Sequence, residues 1–357
     1  MRKKRVLVGM SGGVDSSVTA ALLKKRGYDV IGITMQLLPK EKEQQSACCN
    51  LNAVCDAKRV ASLLKIPHYT LNLRDPFETH VIQNFVSEYL HGRTPNPCVA
   101  CNRHIKFGEL WKMARELKAD FIATGHYCKR TYSHKKRKYF LKKAKDPKKD
   151  QSYFLYMLNS EQLASVLFPL GRYFKSEIRE MASRFRLITA NKPDSQEICF
   201  VTQKTYQNFL KERIEESSLL SGEIVDHQGH VLGKHDGIYN FTVGQRKGLG
   251  ISAPEPLYVL KIDPDTRRVT VGRAEELQWS RIHLTTFTQV DPEEHLEGDF
   301  FDVKTRYQMH PFRARVVSAK HGKAILEMST PQGFMTAGQS GVLFDKDRIV
   351  GGGIITL

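Results

Sequence analysis

The chain has 357 residues, 41% of them hydrophobic, with 55 Lys and Arg against 38 Asp and Glu. This length predicts two or three domains, and the composition excludes a disordered or fibrous chain. A net charge of +17 points to a polyanionic partner. No apolar run nears the roughly 18 residues needed to cross a bilayer. Met1-Arg2-Lys3-Lys4-Arg5 leads into a strand rather than a secretory segment, so a cytoplasmic protein without a membrane partner is expected. Its seven cysteines are then expected to be reduced, metal-bound or catalytic rather than structural disulfides.

Val6-Leu7-Val8 predicts the first strand, and Gly9-Met10-Ser11-Gly12-Gly13-Val14-Asp15-Ser16-Ser17 follows it. Val18, Ala21 and Leu22 then recur at helical spacing until Gly27. A strand, a glycine-rich turn and a helix N-terminus in series aim backbone N–H groups and a helix dipole at an anion. The same order also suits an ordinary strand-to-helix turn, and it is neither the P-loop nor the dinucleotide fingerprint. It closely resembles the SGGxDS pyrophosphate loop of ATP pyrophosphatases. That resemblance implies cleavage of ATP between the α and β phosphates and adenylation of a carbonyl oxygen.

Val30–Met35 predicts a second strand, residues 40–50 a polar loop with Cys48 and Cys49, and Asn52–Lys65 an amphipathic helix. Tyr69–Leu73 is a third strand, followed by a helix with Phe77, Val81, Phe85 and Tyr89 on one face. Ile105–Leu117 is another helix, and Phe121–His126 a fourth strand ending in a turn. Strands alternating with helices predict a doubly wound parallel sheet, with ligands beyond the carboxyl ends of its strands. Ser11–Ser17, Met35, Arg93–Cys101 and Gly125-His126 fall at or near such ends, so one site is expected there.

Between Lys129 and Lys149 there are eleven Lys and Arg residues, broken by Tyr132, Tyr139 and Phe140. Most charge runs are solvated hairpins, but the density and uniform sign of this one predict a phosphate-backbone contact. Asp150–Phe154 is expected to start a helix and Phe174–Phe185 to form one. Near residue 203 the pattern changes to short strands: Gly222–Asp226, His230–Gly233, Tyr258–Asp263 and Arg268–Val271. From Leu277 onward Phe300–Arg306, Arg313–Ser318, Ala324–Ser329, Gly341–Phe344 and Ile349–Ile354 predict a small barrel or sandwich. The expected domains are a catalytic unit at 1–203, a small central α+β or β unit at 204–276, and a C-terminal β-barrel at 277–357 that contacts RNA.

Cys98-Val99-Ala100-Cys101 lies in a loop stiffened by Pro95 and Pro97, with a helix expected after it. A thiol at a helix N-terminus has a lowered pKa and is more nucleophilic near neutral pH. A CxxC can also be half of a zinc site, but no second one has zinc-like spacing. Cys199, in Asp194-Ser195-Gln196-Glu197-Ile198-Cys199-Phe200, is the distant candidate partner. Cys55 and Cys128 are expected to be buried apolar cysteines.

SGGVDSS, GRTPNPCVACNRHIKF, ATGHY, KDQSYFLY, KPDSQEICF and GQSGVLF…GGGII occur in order across essentially the whole chain. Together they closely resemble the tRNA-specific 2-thiouridylase family. The resemblance implies an adenine nucleotide α-hydrolase-like sheet and replacement of the C2 oxygen of the wobble uridine by sulfur in tRNAs for Lys, Glu and Gln. It places ATP on Gly9, Met10, Ser11, Gly12, Gly13, Val14, Asp15 and Ser16, with Met35 and Gly125 near the adenine or ribose. Mg²⁺ would neutralise the phosphates with help from Asp15. The resemblance makes Cys199 the persulfide carrier, fed by a cysteine desulfurase or a sulfur-relay protein, and Cys101 the nucleophile. Cys101 would either form a disulfide with Cys199 to release sulfide or displace AMP itself. Asn96, Pro97 and Cys98 correspond to the stretch touching the target base, and His126, Lys149, Asp150, Gln151, Arg306, Tyr307 and Gln339 to tRNA contacts.

Many family members carry Asp where this chain has Cys98, which leaves the general acid unassigned. Three thiolates, Cys98, Cys101 and Cys199, leave open a second form of the chemistry, in which a [4Fe-4S] cluster binds sulfide at an open iron. Two other classes also stand: a pyrophosphatase-type synthetase acting on a small molecule, and a tRNA-binding module without catalysis. The first leaves the basic run and the cysteine pair without a job, and the second leaves the glycine loop unexplained.

Overall fold

Val6, Leu7 and Val8 of β1 (Arg5–Gly9) are wholly buried, as strands covered by helices on both faces must be. The computed structural model describes residues 2–39, 51–194, 198–201, 205–214, 221–333 and 335–356. The loop with Cys48 and Cys49, residues Ser195, Gln196 and Glu197, and the expected boundary at 203/204 lie outside the described residues. β1 pairs in parallel with β2 (Asp29–Gln36) and β4 (Phe121–Ala123); β2 continues to β3 (His68–Asn72). The basic hairpin consists of β5 (Lys129–Ser133) and β6 (Lys138–Lys142). β7 (Val166–Leu167), a strand with no sequence signal of its own, completes the sheet in the order β3-β2-β1-β4-β7. The order reverses beside β1, so β1 and β4 diverge at their carboxyl ends and open the crevice where ligands bind in such sheets.

Helical boundaries differ from expectation at one telling place. The helix begins at Pro97, before the cysteines, and runs on without a break through a π-helical stretch (Asn102–Glu109) to Leu110–Glu116. Asn96 caps it, its side chain accepting from Val99 N at 3.3 Å, and Pro97 sits at the first helical position. Asn-Pro is therefore a helix start here rather than a rigid loop. Asp150–Phe154 forms only a 3₁₀ turn (Ser152–Leu155), because Asp150 accepts from Ala144 N and from Ser152 N and Oγ. Phe77, Val81, Phe85 and Tyr89 are buried along one face, as their spacing predicts.

The second sheet joins β8 (Gly222–Val225), β9 (Val231–His235), β10 (Tyr258–Asp263) and β11 (Arg268–Gly272) in the order β10-β11-β8-β9. The C-terminal strands are β12 (Trp279–Gln289), β13 (Phe300–Lys304), β14 (Phe312–Lys320), β15 (Lys323–Gln332), β16 (Ser340–Asp345) and β17 (Arg348–Thr356). They run antiparallel, and the pairing of β12 with β17 closes them into a barrel around Ile282, Val303, Val316, Leu326 and Val350. β12 falls in the stretch from Leu277 that reads as β, but its loosely alternating polar and apolar residues give it no bounds in the sequence. β6 pairs with β17 through Lys142 and Arg348, so the basic hairpin extends the barrel wall.

Candidate active site

The turn after β1 brings a glycine-rich backbone to the start of the helix Val14–Lys25. Gly13 caps that helix with extended backbone and no side-chain acceptor, so the first-turn N–H groups face outward as a cradle for anions. Gly12 has φ +68, and a Cβ there would collide with the carbonyl of Ala53. Ser11 N donates to Ser16 Oγ at 3.2 Å, and the Ser16 and Ser17 hydroxyls donate to Gly13 O. Gly125, just past β4, closes the other side of the crevice: a Cβ would stand 3.0 Å from the carbonyl carbon of Asp15 and 3.1 Å from Ser16 N. A Cβ on Gly9 would stand 3.8 Å from Met35 Cε. Gly9, Met35, Gly125 and the loop thus meet at one sheet edge. Met10 and Val14 contribute backbone only, their side chains being buried in the sheet core.

Asp15 does not stand open. Lys175 Nζ lies 2.7 Å from its Oδ1, and the Tyr127 hydroxyl donates to the same oxygen at 2.7 Å. Burial and the charge of Asp15 push the Tyr127 phenol far up, so it stays a donor. The same Lys175 amine meets Asp194 at 2.8 Å, and Asp194 also pairs with Lys149 at 2.7 Å and Arg179 at 3.2 Å. Burial opposes ionisation of Asp194, but the bonds from Lys149 and Lys175 outweigh it and hold its carboxyl below the usual range. Lys192 Nζ donates to Gly12 O and to Asp56, each at 3.0 Å. An uncapped helix start, a glycine floor and two lysine amines fit a triphosphate. Mg²⁺ usually takes one or two carboxylates along with phosphate oxygens, which Asp15 and Asp194 could supply.

Cys101 and Cys199 belong to one apolar cluster with Phe77, Phe85, Phe200 and Phe209. Met35 packs against that cluster as well as against the sheet core, and so sits between the glycine loop and the two thiols. Cys101 is buried, Cys199 half-buried and Cys98 exposed on the first helical turn. No group of three His, Cys, Asp or Glu side chains among the described residues could hold a metal ion. The cluster left open for Cys98, Cys101 and Cys199 therefore has no support in the geometry. Cys128 is fully buried as expected, whereas Cys55 is exposed on its helix and not buried.

Residues 4–203 match the family described as tRNA methyl transferase HUP domain, 207–273 the tRNA methyl transferase PRC-barrel domain, and 276–355 the aminomethyltransferase β-barrel domain. The tRNA-specific 2-thiouridylase of Geotalea uraniireducens (strain Rf4) is 48% identical over 362 residues, covering 99% of this chain and 95% of that protein. A tRNA-specific 2-thiouridylase of Caldanaerobacter subterraneus subsp. tengcongensis is 47% identical over 356 residues, covering 98% and 97%. That of Acetivibrio thermocellus is 45% identical over 359 residues, covering 99% and 100%. The chain belongs to the tRNA-specific 2-thiouridylase family. Matches along both chains favour this family over a small-molecule synthetase.

The residues that the family resemblance assigns to tRNA are placed unevenly in this thiouridylase. Lys149 lies in the Asp194 network. Asp150 builds the 3₁₀ turn, and Gln151 Oε1 accepts from Tyr127 N at 3.0 Å. His126 Nδ1 lies 2.8 Å from Thr124 Oγ1, and its ring packs on Phe107 and Phe168. Burial, with Lys106 adding, holds that imidazole well below its usual range and keeps it neutral. Tyr307 packs on Phe154, ring to ring at 4.7 Å, and Arg306 reaches Val243 O and Thr336 Oγ1. Gln339 holds the loop before Asn96, Pro97 and Cys98 by bonds to Thr94 O and Pro95 O.

The sequence passed over Lys175, Lys192, Tyr127 and Asp194 as site residues. Lys192 and Asp194 lie in the KPDSQEICF motif and Tyr127 follows ATGH, so a signal existed for three of them. Lys175 has none, since a lone lysine opening a surface helix looks like any other.

The basic hairpin differs most from expectation. Lys136 and Lys138 pair with Asp291, and further with Glu294 and Glu293 respectively; Lys142 pairs with Asp347. Part of its charge docks the hairpin on the barrel instead of facing a partner. Among the described residues no helix is long and apolar enough to cross a membrane.

Proposed function

We propose that this chain converts the wobble uridine of tRNAs for Lys, Glu and Gln to 2-thiouridine at the expense of ATP. The uracil O2 attacks the α-phosphorus, the α–β bridging bond breaks, and pyrophosphate leaves along the glycine cradle toward Lys175 and Lys192. Loss of the N3 proton leaves a neutral O2-adenylyl base whose C2 carries a good leaving group. Asp15 with the phosphate oxygens would hold Mg²⁺, which when bound would supply charge neutralisation.

The terminal sulfur of a Cys199 persulfide adds to C2, and AMP departs. Cys101 thiolate then attacks Cys199 Sγ. The S–S bond breaks toward the base, giving 2-thiouridine and a Cys101–Cys199 disulfide. An external thiol reductant restores both thiols, and a cysteine desulfurase or relay protein reloads Cys199. A buried site demands that the uridine leave its stack, at about a few kcal/mol.

What supports this reading is the apolar cluster shared by Cys101 and Cys199, joined through Met35 to the glycine loop. The test is mass spectrometry of wobble nucleosides after incubating unmodified tRNA with ATP and a sulfur source. Wild type yields 2-thiouridine, AMP and pyrophosphate. Cys101→Ser and Cys199→Ser yield none while still binding tRNA. A variant that still thiolates overturns the role of its cysteine, and a wild type that never thiolates overturns the function.

A further inference from the structure

A cavity of about 320 Å³ lies on the far side of the cysteine helix, between that helix, the helical run after β3 and the barrel. Its walls include Asn96, Val99, Ala100 and Arg103. Within the α-helical turn Pro97–Cys101, Val99 and Ala100 face the cavity, and at 100° per residue Cys98 and Cys101 take the opposite face. The cavity therefore opens on the face of that helix away from the two cysteines and meets the target-base stretch at Asn96.

Its lining includes a pair of stacked imidazoles, His80 and His104, with ring centroids 4.7 Å apart and planes inclined by 13°. Each lies in a π-helical segment, Glu78–Ile82 and Asn102–Glu109, a distortion of helices found often at functional sites. Burial, then the neighbouring His80 and Arg103, hold the His104 imidazole below its usual range, so the pair stacks without full charge repulsion. Stacked rings do not converge their nitrogens on one point, which argues against a metal. Around them stand the amides of Asn84 and Asn96 and the guanidinium of Arg103, whose bond to Thr288 Oγ1 is a long 3.5 Å. The carboxylate of Glu88 in the wall is already neutralised by two bonds from Arg93, at 2.6 and 2.7 Å. His80 and Asn84 are exposed at the mouth. Ser340 and Ile354 of the barrel close the back.

A flat ring platform, amide groups that can read a base edge and an arginine with no ion pair among the described residues are what an unpaired nucleotide requires. We propose that this cavity holds one unpaired nucleotide next to the target uridine, its base on the His80–His104 pair and its phosphate on Arg103. The inference rests on the tRNA thiolation proposed above. Asn96 serves both sides of the helix root, so seating this neighbour fixes the strand that delivers the target to Cys101 and Cys199.

The test uses the full chain and anticodon stem-loop RNAs carrying 2-aminopurine immediately 5′ or 3′ of the target uridine. One of the two probes changes fluorescence on binding wild type. The double variant His80→Ala/His104→Ala loses that change and binds the RNA about tenfold more weakly, the scale of one base–aromatic stack. His80→Phe/His104→Phe, which keeps two flat rings, retains the signal and controls for misfolding. An alanine double variant with wild-type fluorescence and affinity, or a signal at neither position, overturns the inference. If uridine 5′-monophosphate binds with His104-dependent affinity and the RNA probes do not respond, the occupant is a free nucleotide and the RNA assignment falls. Mass spectrometry of the same reactions separates the two readings: 2-thiouridine formed by wild type and alanine variant alike, with no probe response, removes this site and leaves the thiolation standing.

Discussion

Gln339 Nε2 donates to the carbonyl oxygen of Thr94 at 2.9 Å, across 245 residues of sequence. The same loop is held again by the bond from Thr94 N to Ala337 O at 2.9 Å. Gly338 passes so close that a Cβ would stand 2.9 Å from Thr94 O. The barrel thus grips the segment that ends in Asn96 and Pro97 and starts the cysteine helix. Gln339→Ala removes one donor from two carbonyls, worth about 1 kcal/mol in a partly buried setting. We expect a single-turnover thiolation rate reduced about tenfold with an unfolding midpoint within a few degrees of wild type. An unchanged rate would show that the remaining contacts hold the loop unaided.

Lys175 bridges Asp15 and Asp194 with one amine, at 2.7 and 2.8 Å, and is largely buried. Lys175→Met leaves two carboxylates facing each other without their common cation. Breaking a buried pair from one side costs on the order of 3 kcal/mol. On the proposed path of pyrophosphate past Lys175, its release should fall by at least about a hundredfold. Urea melts and a pyrophosphate assay check both effects; release at the wild-type rate would remove Lys175 from the chemistry.

The basic hairpin divides into two groups with different expected effects. Lys135 and Arg137 are exposed at its turn, whereas Lys136 and Lys138 are tied to Asp291 and its neighbours. Replacing Lys135 and Arg137 by Ala should lower the slope of log affinity for tRNA against log salt by about 1.5 if both meet phosphates. Replacing Lys136 and Lys138 should instead lower the melting temperature. Equal salt slopes in both double variants would mean that the turn faces only solvent.

His126 is held neutral well below its usual range by burial and by Lys106. The unfolded chain, with a histidine pKa near 6.5, then binds a proton that the folded chain refuses. Stability therefore falls as pH drops below about 6.5, and the loss continues down toward the folded value. Urea unfolding between pH 7 and 5 should show a falling midpoint, with the slope reduced in His126→Gln. His68, His104 and His235 are also lowered, each mainly by burial, so part of the slope should persist. Asp194, held low, loses its contribution only below about pH 4 and does not confuse this window. A variant with the wild-type slope would show that His126 is protonated without cost.

The glycine loop, the alternating strands and the in-order motifs were legible in the chain because they depend on local rules. Glycine permits backbone to close on phosphate, and alternating strands and helices imply a parallel sheet, whereas the helix start at Asn96-Pro97 reads as a rigid loop. The Asp15–Lys175–Asp194 network was not legible, because a charge becomes a site residue only through a partner brought from far along the chain. The ion pairs of Lys136 and Lys138 were illegible for the same reason, their acidic partners standing more than 150 residues away.

By itself the sequence determined the family and pointed to the glycine loop and the two cysteines as its candidate site, since each is written in contiguous residues. Tertiary structure alone decided that Cys98 stays outside the cluster shared by Cys101 and Cys199, that the barrel grips the cysteine loop, and that two histidines stack behind it. Those facts follow from which helix face each residue takes and what packs on it, and packing couples residues that the chain keeps far apart.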